Sequence, residues 1–275
     1  MRVDEQRNVI EIAFIGAGKM AEAIIGSIIR ADVVAPTEVV ISDPSEERVA
    51  AMTGQFGVSS ATSNVQVVDG AEVVVLAVKP QMLDEVLSGM AEALAGKLVI
   101  SIAAGKKVAY FEGLLAGSRI VRVMPNLPCL VGEGATAYCG GRAMTEEDRI
   151  CVEALLNAFG KVLALPEDQF DGLTALSGSG PAFFAYMAAG MAGAAEEEGL
   201  SADDARMLSI QTMLGTAKLL LDQDLDPAEL IASVSSAKGT TAEGMGVLRE
   251  SSLHAILRDT VAAAARRSRE LSEQS

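Results

Sequence analysis

Two hydrophobic periods alternate along the first 165 residues. Short apolar runs, typical of strands buried in a parallel sheet, are separated by segments whose apolar residues recur at helical spacing. The predicted strands are Val9–Ile15, Glu38–Asp43, Val58–Ser60, Glu72–Val78, Leu98–Ala103, Arg119–Met124, Ala135–Cys139 and Val162–Leu165. The predicted helices are Ala21–Ile29, Ser45–Gln55, Gln81–Leu94, Val108–Leu115 and Glu146–Phe159. This alternation predicts a doubly wound, Rossmann-type α/β domain over residues 1–165.

After Pro166 the pattern is helical only. The predicted helices are Pro181–Glu198, Ser201–Asp222, Pro227–Val234, Thr240–Arg249 and Leu253–Glu270. Ser201 with Asp204, and Asp226 before Pro227, are typical helix starts. We therefore predict an all-α domain over residues 166–275. Its helices are rich in Ala, Gly and Met, which favours burial against a second copy and makes this the predicted dimerisation domain.

Composition narrows the classes of function. The 275 residues carry a net charge of −15, which argues against nucleic-acid binding. The three cysteines form no CxxC pair, so we expect no disulfide framework and no metal site. Residues 172–195 are uncharged, but Ser177–Pro181 interrupts them, leaving too few apolar residues for a membrane span. The first eight residues mix both charges, unlike a signal peptide, so we expect a cytoplasmic protein.

A glycine-rich turn follows the first predicted strand. Gly16 and Gly18, with Ala21 at the third position, fit the fingerprint that places backbone N–H groups and a helix N-terminus around a pyrophosphate. Ligands of such sheets lie outside the carboxyl ends of the strands. Asp43 ends the second strand, where an acid would hold a ribose 2′-hydroxyl, while Arg48 with Ser42 and Ser45 would suit a 2′-phosphate. The choice between NADP and NAD stays open on these residues.

The remaining candidate chemistry favours reduction of an imine. Reduction of a ketone needs a proton donor, and the single histidine, His254, begins a predicted helix as a structural residue. A protonated imine already carries the positive charge that hydride transfer cancels, so a hydroxyl suffices to hold its N–H. Residues 235–241 (Ser-Ser-Ala-Lys-Gly-Thr-Thr) supply hydroxyls and backbone N–H groups before a helix, which suits a carboxylate. The alternative is a plain helix–helix turn with Thr240 as N-cap.

Five motifs in order resemble the pyrroline-5-carboxylate reductase family. They are residues 16–25 (GAGKMAEAII), 76–81 (LAVKPQ), 101–105 (SIAAG), 124–128 (MPNLP) and 175–183 (ALSGSGPAF), and Gly239–Thr241 also matches. The resemblance implies reduction of 1-pyrroline-5-carboxylate to L-proline with NADP(H), with NAD(H) kept open by Asp43. It also implies a homodimer through the helical domain, often within a decamer of five dimers.

The resemblance assigns roles residue by residue. Thr241 is implied as the catalytic residue, its hydroxyl bonding the ring nitrogen. The implied substrate-binding residues are Ser236, Lys238, Gly239, Thr240 and Thr241. The candidate cofactor-binding residues, with those from the strand ends, are Gly16, Ala17, Gly18, Lys19, Met20, Ser42, Asp43, Asn64, Ala77, Val78, Lys79, Pro80, Ala103 and Ala104.

Three positions depart from the family pattern. Ala237 and Lys238 replace Pro and Gly of its Ser-Pro-Gly-Gly-Thr-Thr loop, and Leu127 replaces a Thr beside the cofactor. If the replaced Gly needs a positive φ, Lys238 is strained or the loop rearranged; alternatively its ammonium holds the substrate carboxylate. These departures leave two further functions open, a reductase of a related cyclic imine acid and a catalytically weak NAD(P)-binding sensor or scaffold.

Overall fold

A computed structural model describes residues 11–273 of the chain. Its eight strands form one sheet in the order β3-β2-β1-β4-β5-β6-β7-β8, in which only the β6–β7 pair is antiparallel among the described residues. The strands are β1 (Ile12–Ile15), β2 (Val39–Ser42), β3 (Ser59–Ser60), β4 (Val73–Leu76), β5 (Leu98–Ser101), β6 (Arg119–Met124), β7 (Gly134–Gly140) and β8 (Gly160–Ala164). Every predicted strand has a counterpart, and Val9 and Ile10 of the first lie outside the described residues.

Most helices between these strands begin and end close to the predicted bounds, but the short helix Asn64–Val68 was not predicted and one predicted helix is divided. They are α1 (Lys19–Arg30), α2 (Glu46–Phe56), α3 (Asn64–Val68), α4 (Leu83–Leu87), α5 (Ala91–Leu94), α6 (Val108–Leu114) and α7 (Glu146–Asn157). The prediction of one helix over Gln81–Leu94 was wrong. A 3-10 turn at Pro80–Met82 precedes α4, and Gly89, at φ +77°, separates α4 from α5. A residue in this left-handed conformation cannot continue a right-handed helix.

The sheet reverses its strand order at β1, which pairs with β2 on one side and β4 on the other. Ile12 is in register with Val39 of β2 and with Val73 of β4, so the carboxyl ends of the three strands lie at one edge. Side chains of β1, β4 and β5 are buried on both faces of the sheet. This burial explains their unbroken apolar runs and places a crevice at the reversal, where such sheets bind ligands.

The helical part forms a second compact unit, Ser179–Ala264, while residues Ala265–Glu273 group with the sheet. Before it come α8 (Phe170–Leu173) and a π-helical turn at Thr174–Gly178. The long helices are α9 (Gly180–Glu197), α10 (Ala202–Asp222), α11 (Pro227–Val234), α12 (Thr240–Glu250) and α13 (Leu253–Glu273).

The capping side chains are as predicted, since Ser201 accepts from the Asp204 N–H and Asp226 from the Ala228 N–H. The predicted boundary at residue 165 stays a prediction.

Helices α9 and α10 pack against each other yet leave large apolar side chains uncovered. Tyr186 is 83% exposed, Met191 70% and Leu221 66%. Apolar groups at this density on adjacent helices are typical of a surface that another protein covers. None of the described helices is long and apolar enough to cross a membrane.

Candidate active site

The turn after β1 depends on Gly16. Its φ of +104° is readily adopted only by glycine, and a Cβ there would lie 2.7 Å from the carbonyl oxygen of Ala77. The turn is tied to its neighbours by the Gly16 N–H, which donates to the Ser42 carbonyl at 2.8 Å, while the Ala77 N–H donates to the Ile15 carbonyl at 2.8 Å. The backbone therefore passes between β2 and β4 with no room for a side chain at this point.

The N-terminus of α1 opens directly from this turn. Gly18 is the N-cap, and a Cβ built on it would meet nothing within 4 Å. The first intrahelical bond is donated by Glu22 to the Gly18 carbonyl, and the described residues offer no acceptor to the N–H groups of Lys19, Met20 and Ala21. Open space beside three unpaired N–H groups at the positive end of a helix fits the pyrophosphate of a dinucleotide.

Polar residues of β2 and α3 flank the turn. Ser42 is buried and donates to the Asn64 Oδ1 at 2.6 Å, which brings together two predicted cofactor residues. Asp43 has both carboxylate oxygens engaged, Oδ2 by the Ala17 N–H at 2.7 Å and Oδ1 by the Ser45 N–H at 2.9 Å. In the structure Asp43 therefore bonds the glycine turn, a contact that the sequence did not indicate.

The loops after β4 and β5 provide the other predicted cofactor residues at the same edge of the sheet. Ala77, Val78 and Pro80 are half-buried, whereas Lys79 is exposed. Ala103 is buried and its N–H donates to the Ser101 hydroxyl at 3.3 Å, while Ala104 is exposed. The structure thus gathers all fourteen predicted cofactor residues around the ends of β1, β2, β4 and β5.

Side-chain contacts join α4 and α6, the helices that follow these two loops. Tyr110 of α6 donates to the Asp84 Oδ1 of α4 at 2.6 Å, and the buried Lys106 ammonium lies 4.1 Å from the centre of the Tyr110 ring. Burial and the neighbouring Asp84 carboxylate raise the pKa of Tyr110 well above its usual value. Tyr110 therefore stays a neutral donor and holds α4 and α6 together.

The loop before α12 forms a tight turn. The Gly239 N–H donates to the Ser236 carbonyl at 3.0 Å, and Lys238, the third residue of this turn, has φ +60°. A positive φ at that position is typical of a type II turn, which takes Gly or Asn there. The family's glycine is thus replaced by a lysine in a left-handed conformation, the strained arrangement that the sequence left open.

Three backbone donors are also unpaired at the start of α12. Gly239 is the N-cap, so the alternative with Thr240 as N-cap was wrong, because Thr240 is already the first helical residue. The N–H groups of Thr240, Thr241 and Ala242 have no acceptor among the described residues, and both threonine hydroxyls are likewise unbonded there. Exposed N–H and hydroxyl groups at a helix N-terminus fit a carboxylate.

Other reactive side chains are exposed, protonated or engaged in hydrogen bonds within the fold. His254 is exposed at the start of α13. Burial and the Glu167 carboxylate raise the pKa of Cys139 to about 12, so its thiol stays protonated at neutral pH. Asn126, which follows β6, is a structural residue that accepts from the Ala135 N–H at 3.0 Å and donates to the Ser177 carbonyl at 3.2 Å.

Glu22 and Arg48 support the glycine turn through contacts that no sequence motif indicated. The Arg48 Nε donates to the Ala17 carbonyl at 2.8 Å and its Nη2 to the Glu22 Oε2 at 2.8 Å. The available signal was that both residues stand in the first turns of helices flanking the glycine turn.

Comparisons with known proteins agree with these features. Residues 167–271 match the family described as pyrroline-5-carboxylate reductase dimerisation, and residues 11–105 match the family described as NADP oxidoreductase coenzyme F420-dependent. Pyrroline-5-carboxylate reductase of Methanosarcina acetivorans is 39% identical over 96% of this chain and 98% of its own length.

Two solved structures are also similar along nearly the whole chain. The pyrroline-5-carboxylate reductase of Coxiella burnetii is 34% identical, with a TM-score of 0.92 over 96% of this chain and 99% of that one. Pyrroline carboxylate reductase of Plasmodium falciparum, solved with NADP bound, is 29% identical, with a TM-score of 0.84 over 96% and 98%. On its motifs, its fold and this near full-length similarity, the chain belongs to the pyrroline-5-carboxylate reductase family.

Proposed function

We propose that the N-terminus of α1 binds the pyrophosphate of the cofactor and that the N-terminus of α12 binds the carboxylate of the substrate. As a member of its family it is an oxidoreductase that reduces 1-pyrroline-5-carboxylate to L-proline with NAD(P)H. The observation that carries the proposal is the presence of two separate helix N-termini, those of α1 and α12, each with three unpaired N–H groups. A dinucleotide and a carboxylate substrate are the two anions that such a reaction requires.

The loop before α12 binds the substrate in this proposal. The free N–H groups of Thr240, Thr241 and Ala242 bind the carboxylate, with Ser236, Lys238 and Gly239 beside them. The Thr241 hydroxyl accepts the N–H of the protonated ring imine and fixes its orientation. The bound nicotinamide supplies a hydride to the imine carbon, and the nitrogen takes up the electron pair of the C=N bond. Because the imine is already protonated, no separate acid is needed.

The glycine turn and the strand ends around it hold the cofactor, for which we propose a preference for NADPH. The fourteen residues named above form this site, with the N–H groups of Lys19 and Met20 on the pyrophosphate. Two backbone N–H groups engage the Asp43 carboxylate, which lessens its repulsion of a 2′-phosphate. The NADP bound to the Plasmodium relative supports the same preference.

The chain forms oligomers through the family's dimerisation region, and we propose a homodimer built from the helices after residue 166, within a decamer of five dimers. The uncovered apolar side chains of α9 and α10 support such an interface. A cytoplasmic location, with a small molecule as substrate and neither nucleic acid nor membrane as partner, completes the proposal.

A steady-state assay tests the proposed function. The purified protein, mixed with NADPH and 1-pyrroline-5-carboxylate, should consume the absorbance of the reduced nicotinamide and yield L-proline. NADH should give a lower kcat/KM than NADPH. Tight NADPH binding without turnover would instead support the sensor or scaffold function.

A second candidate is reduction of a related cyclic imine acid. Lys238 at a position suited to glycine is the observation that favours it, because it changes the loop that meets the substrate. Comparing kcat/KM for five- and six-membered cyclic imine acids decides between the two, and a higher value for the larger ring would identify the second candidate.

A further inference from the structure

The peptide groups of Ala17 are held from both sides by side chains of another part of the chain. The Ala17 N–H donates to Asp43, and the Ala17 carbonyl accepts from the Arg48 Nε. Asp43 is itself fixed by the Ser45 N–H, and Arg48 by an ion pair with Glu22 at 2.8 Å. We name Asp43, Arg48 and Glu22 the Ala17 clamp. Asp43 and Arg48 bond the buried Ala17 directly, in the middle of the pyrophosphate turn, and Glu22 acts through Arg48.

The turn needs such support because glycines stand on both sides of Ala17. Gly16 adopts φ +104°, and Gly18 faces open space, so neither contributes a side chain that packs and limits motion. Ordering such residues costs backbone entropy, which other contacts must offset. The clamp fixes the planes of the peptides on either side of Ala17, and through them the directions of the Lys19 and Met20 N–H groups that follow.

Asp43 stands where the dinucleotide fingerprint places the acid that binds a ribose hydroxyl. Here each of its carboxylate oxygens already accepts a backbone N–H, at 2.7 and 2.9 Å. Such charge-assisted bonds are the strong ones and compensate its negative charge. Its geometry is therefore that of a support for the turn.

We propose that Asp43 is a positioning residue for the pyrophosphate turn and not the residue that selects between NADPH and NADH. Its loss weakens the binding of both nucleotides by the same factor, since the pyrophosphate is common to both. The inference rests on the proposed function only in that the chain binds a nicotinamide dinucleotide.

The test compares the dissociation constants of NADPH and NADH for the full chain and for Asp43→Asn, without imine substrate. The asparagine keeps one acceptor and loses the charge, so both constants should rise about tenfold, with their ratio unchanged within a factor of two. A ratio that shifts fivefold or more would show that Asp43 reads the ribose, and unchanged constants would show that the clamp does not matter. Either result overturns the proposal.

Two further variants control this measurement. Glu47→Gln removes the same charge from the exposed first turn of α2, outside the clamp, and should not weaken either nucleotide. Glu22→Gln keeps the shape of the side chain but weakens the support of Arg48, so both constants should rise about threefold. If Asp43→Asn does not unfold cooperatively on heating, the nucleotide dissociation constants of Glu22→Gln test the proposal in its place. If the proposed reduction does not occur, the protein will show no turnover, but the dissociation constants of NADPH and NADH can still be measured.

Discussion

The N-termini of α1 and α12 each present three N–H groups without an acceptor among the described residues, but the turns before them are built differently. The turn before α1 has glycine at its positive-φ position, and residues of β2 and α2 hold it in place. The loop before α12 has lysine at its positive-φ position and is closed by its own Gly239–Ser236 hydrogen bond. The turn before α1 is therefore supported by residues distant in sequence, whereas the loop before α12 is closed by a hydrogen bond within the loop.

This difference indicates where each site tolerates change. A turn enclosed by neighbouring strands has no space for an added atom, so its substitutions should act on folding and cofactor binding together. A loop closed locally should respond to substitution mainly through substrate affinity and rate. The following variants test this contrast, from the largest expected effect to the smallest.

Gly16→Ala should have the largest effect. The new Cβ would lie 2.7 Å from the Ala77 carbonyl oxygen at a φ that only glycine adopts readily. We expect the free energy of unfolding to fall by about 2–4 kcal/mol and NADPH affinity to fall by about 100-fold or more. Thermal melting and equilibrium nucleotide binding measure the two effects.

Gly18→Ala is the matched control for that variant. Its Cβ would meet no protein atom within 4 Å, so stability should stay within about 0.5 kcal/mol of the parent. NADPH affinity should still fall, since the methyl group occupies the space of the phosphates. Equal loss of stability in both variants would contradict the proposed difference between the two glycines.

Thr241→Ala should lower kcat by about 10- to 100-fold, because it removes the hydroxyl that holds the ring nitrogen. The dissociation constant of NADPH should not change. Thr241→Ser retains a hydroxyl and should recover most of the rate. A parallel loss of rate and of NADPH binding would assign Thr241 to the cofactor instead.

Gly239→Ala should raise the KM for the imine acid by about tenfold, or about 1.4 kcal/mol. A Cβ at Gly239 would lie 2.5 Å from the Ser236 Oγ, which must rotate away, and 3.1 Å from the Ser236 carbonyl oxygen, which distorts the turn. An unchanged KM in Gly239→Ala would show that the turn is not part of the substrate site.

Lys238→Gly should have the smallest effect, a rise in substrate KM of about threefold from the loss of one exposed charge. Lys238→Asn is the control, since Asn also tolerates a left-handed backbone but is neutral. Both variants should show a weaker dependence of KM on salt than the parent. A lower KM in Lys238→Gly would mean instead that backbone strain at this position limits affinity.

Local signals predicted much of the fold. β6 (Arg119–Met124) and α11 (Pro227–Val234) begin and end as predicted, because an apolar run and an Asp-Pro helix start are read from adjacent residues. The Rossmann-type fold, the helical second part and the family are confirmed. The break at Gly89 was missed, because an isolated glycine in a helical pattern does not by itself reveal a left-handed residue.

The site was predicted less completely than the fold. The motif at residues 16–20 identified the turn, but the contact between Ala17 and Asp43 joins positions 26 apart, and no periodicity encodes it. For Lys238 the sequence pointed to the right position and left strain and charge open, and the observed φ of +60° establishes the conformation. The roles of the individual site residues stay predictions that the variants above test.

The bare apolar side chains of α9 and α10 have a consequence for how this enzyme is handled and made. In a monomer Tyr186 and Met191 would be exposed to solvent, so newly synthesised chains are prone to aggregate until they associate. Specific activity should then fall on strong dilution and recover when the protein is concentrated, so it should depend on protein concentration.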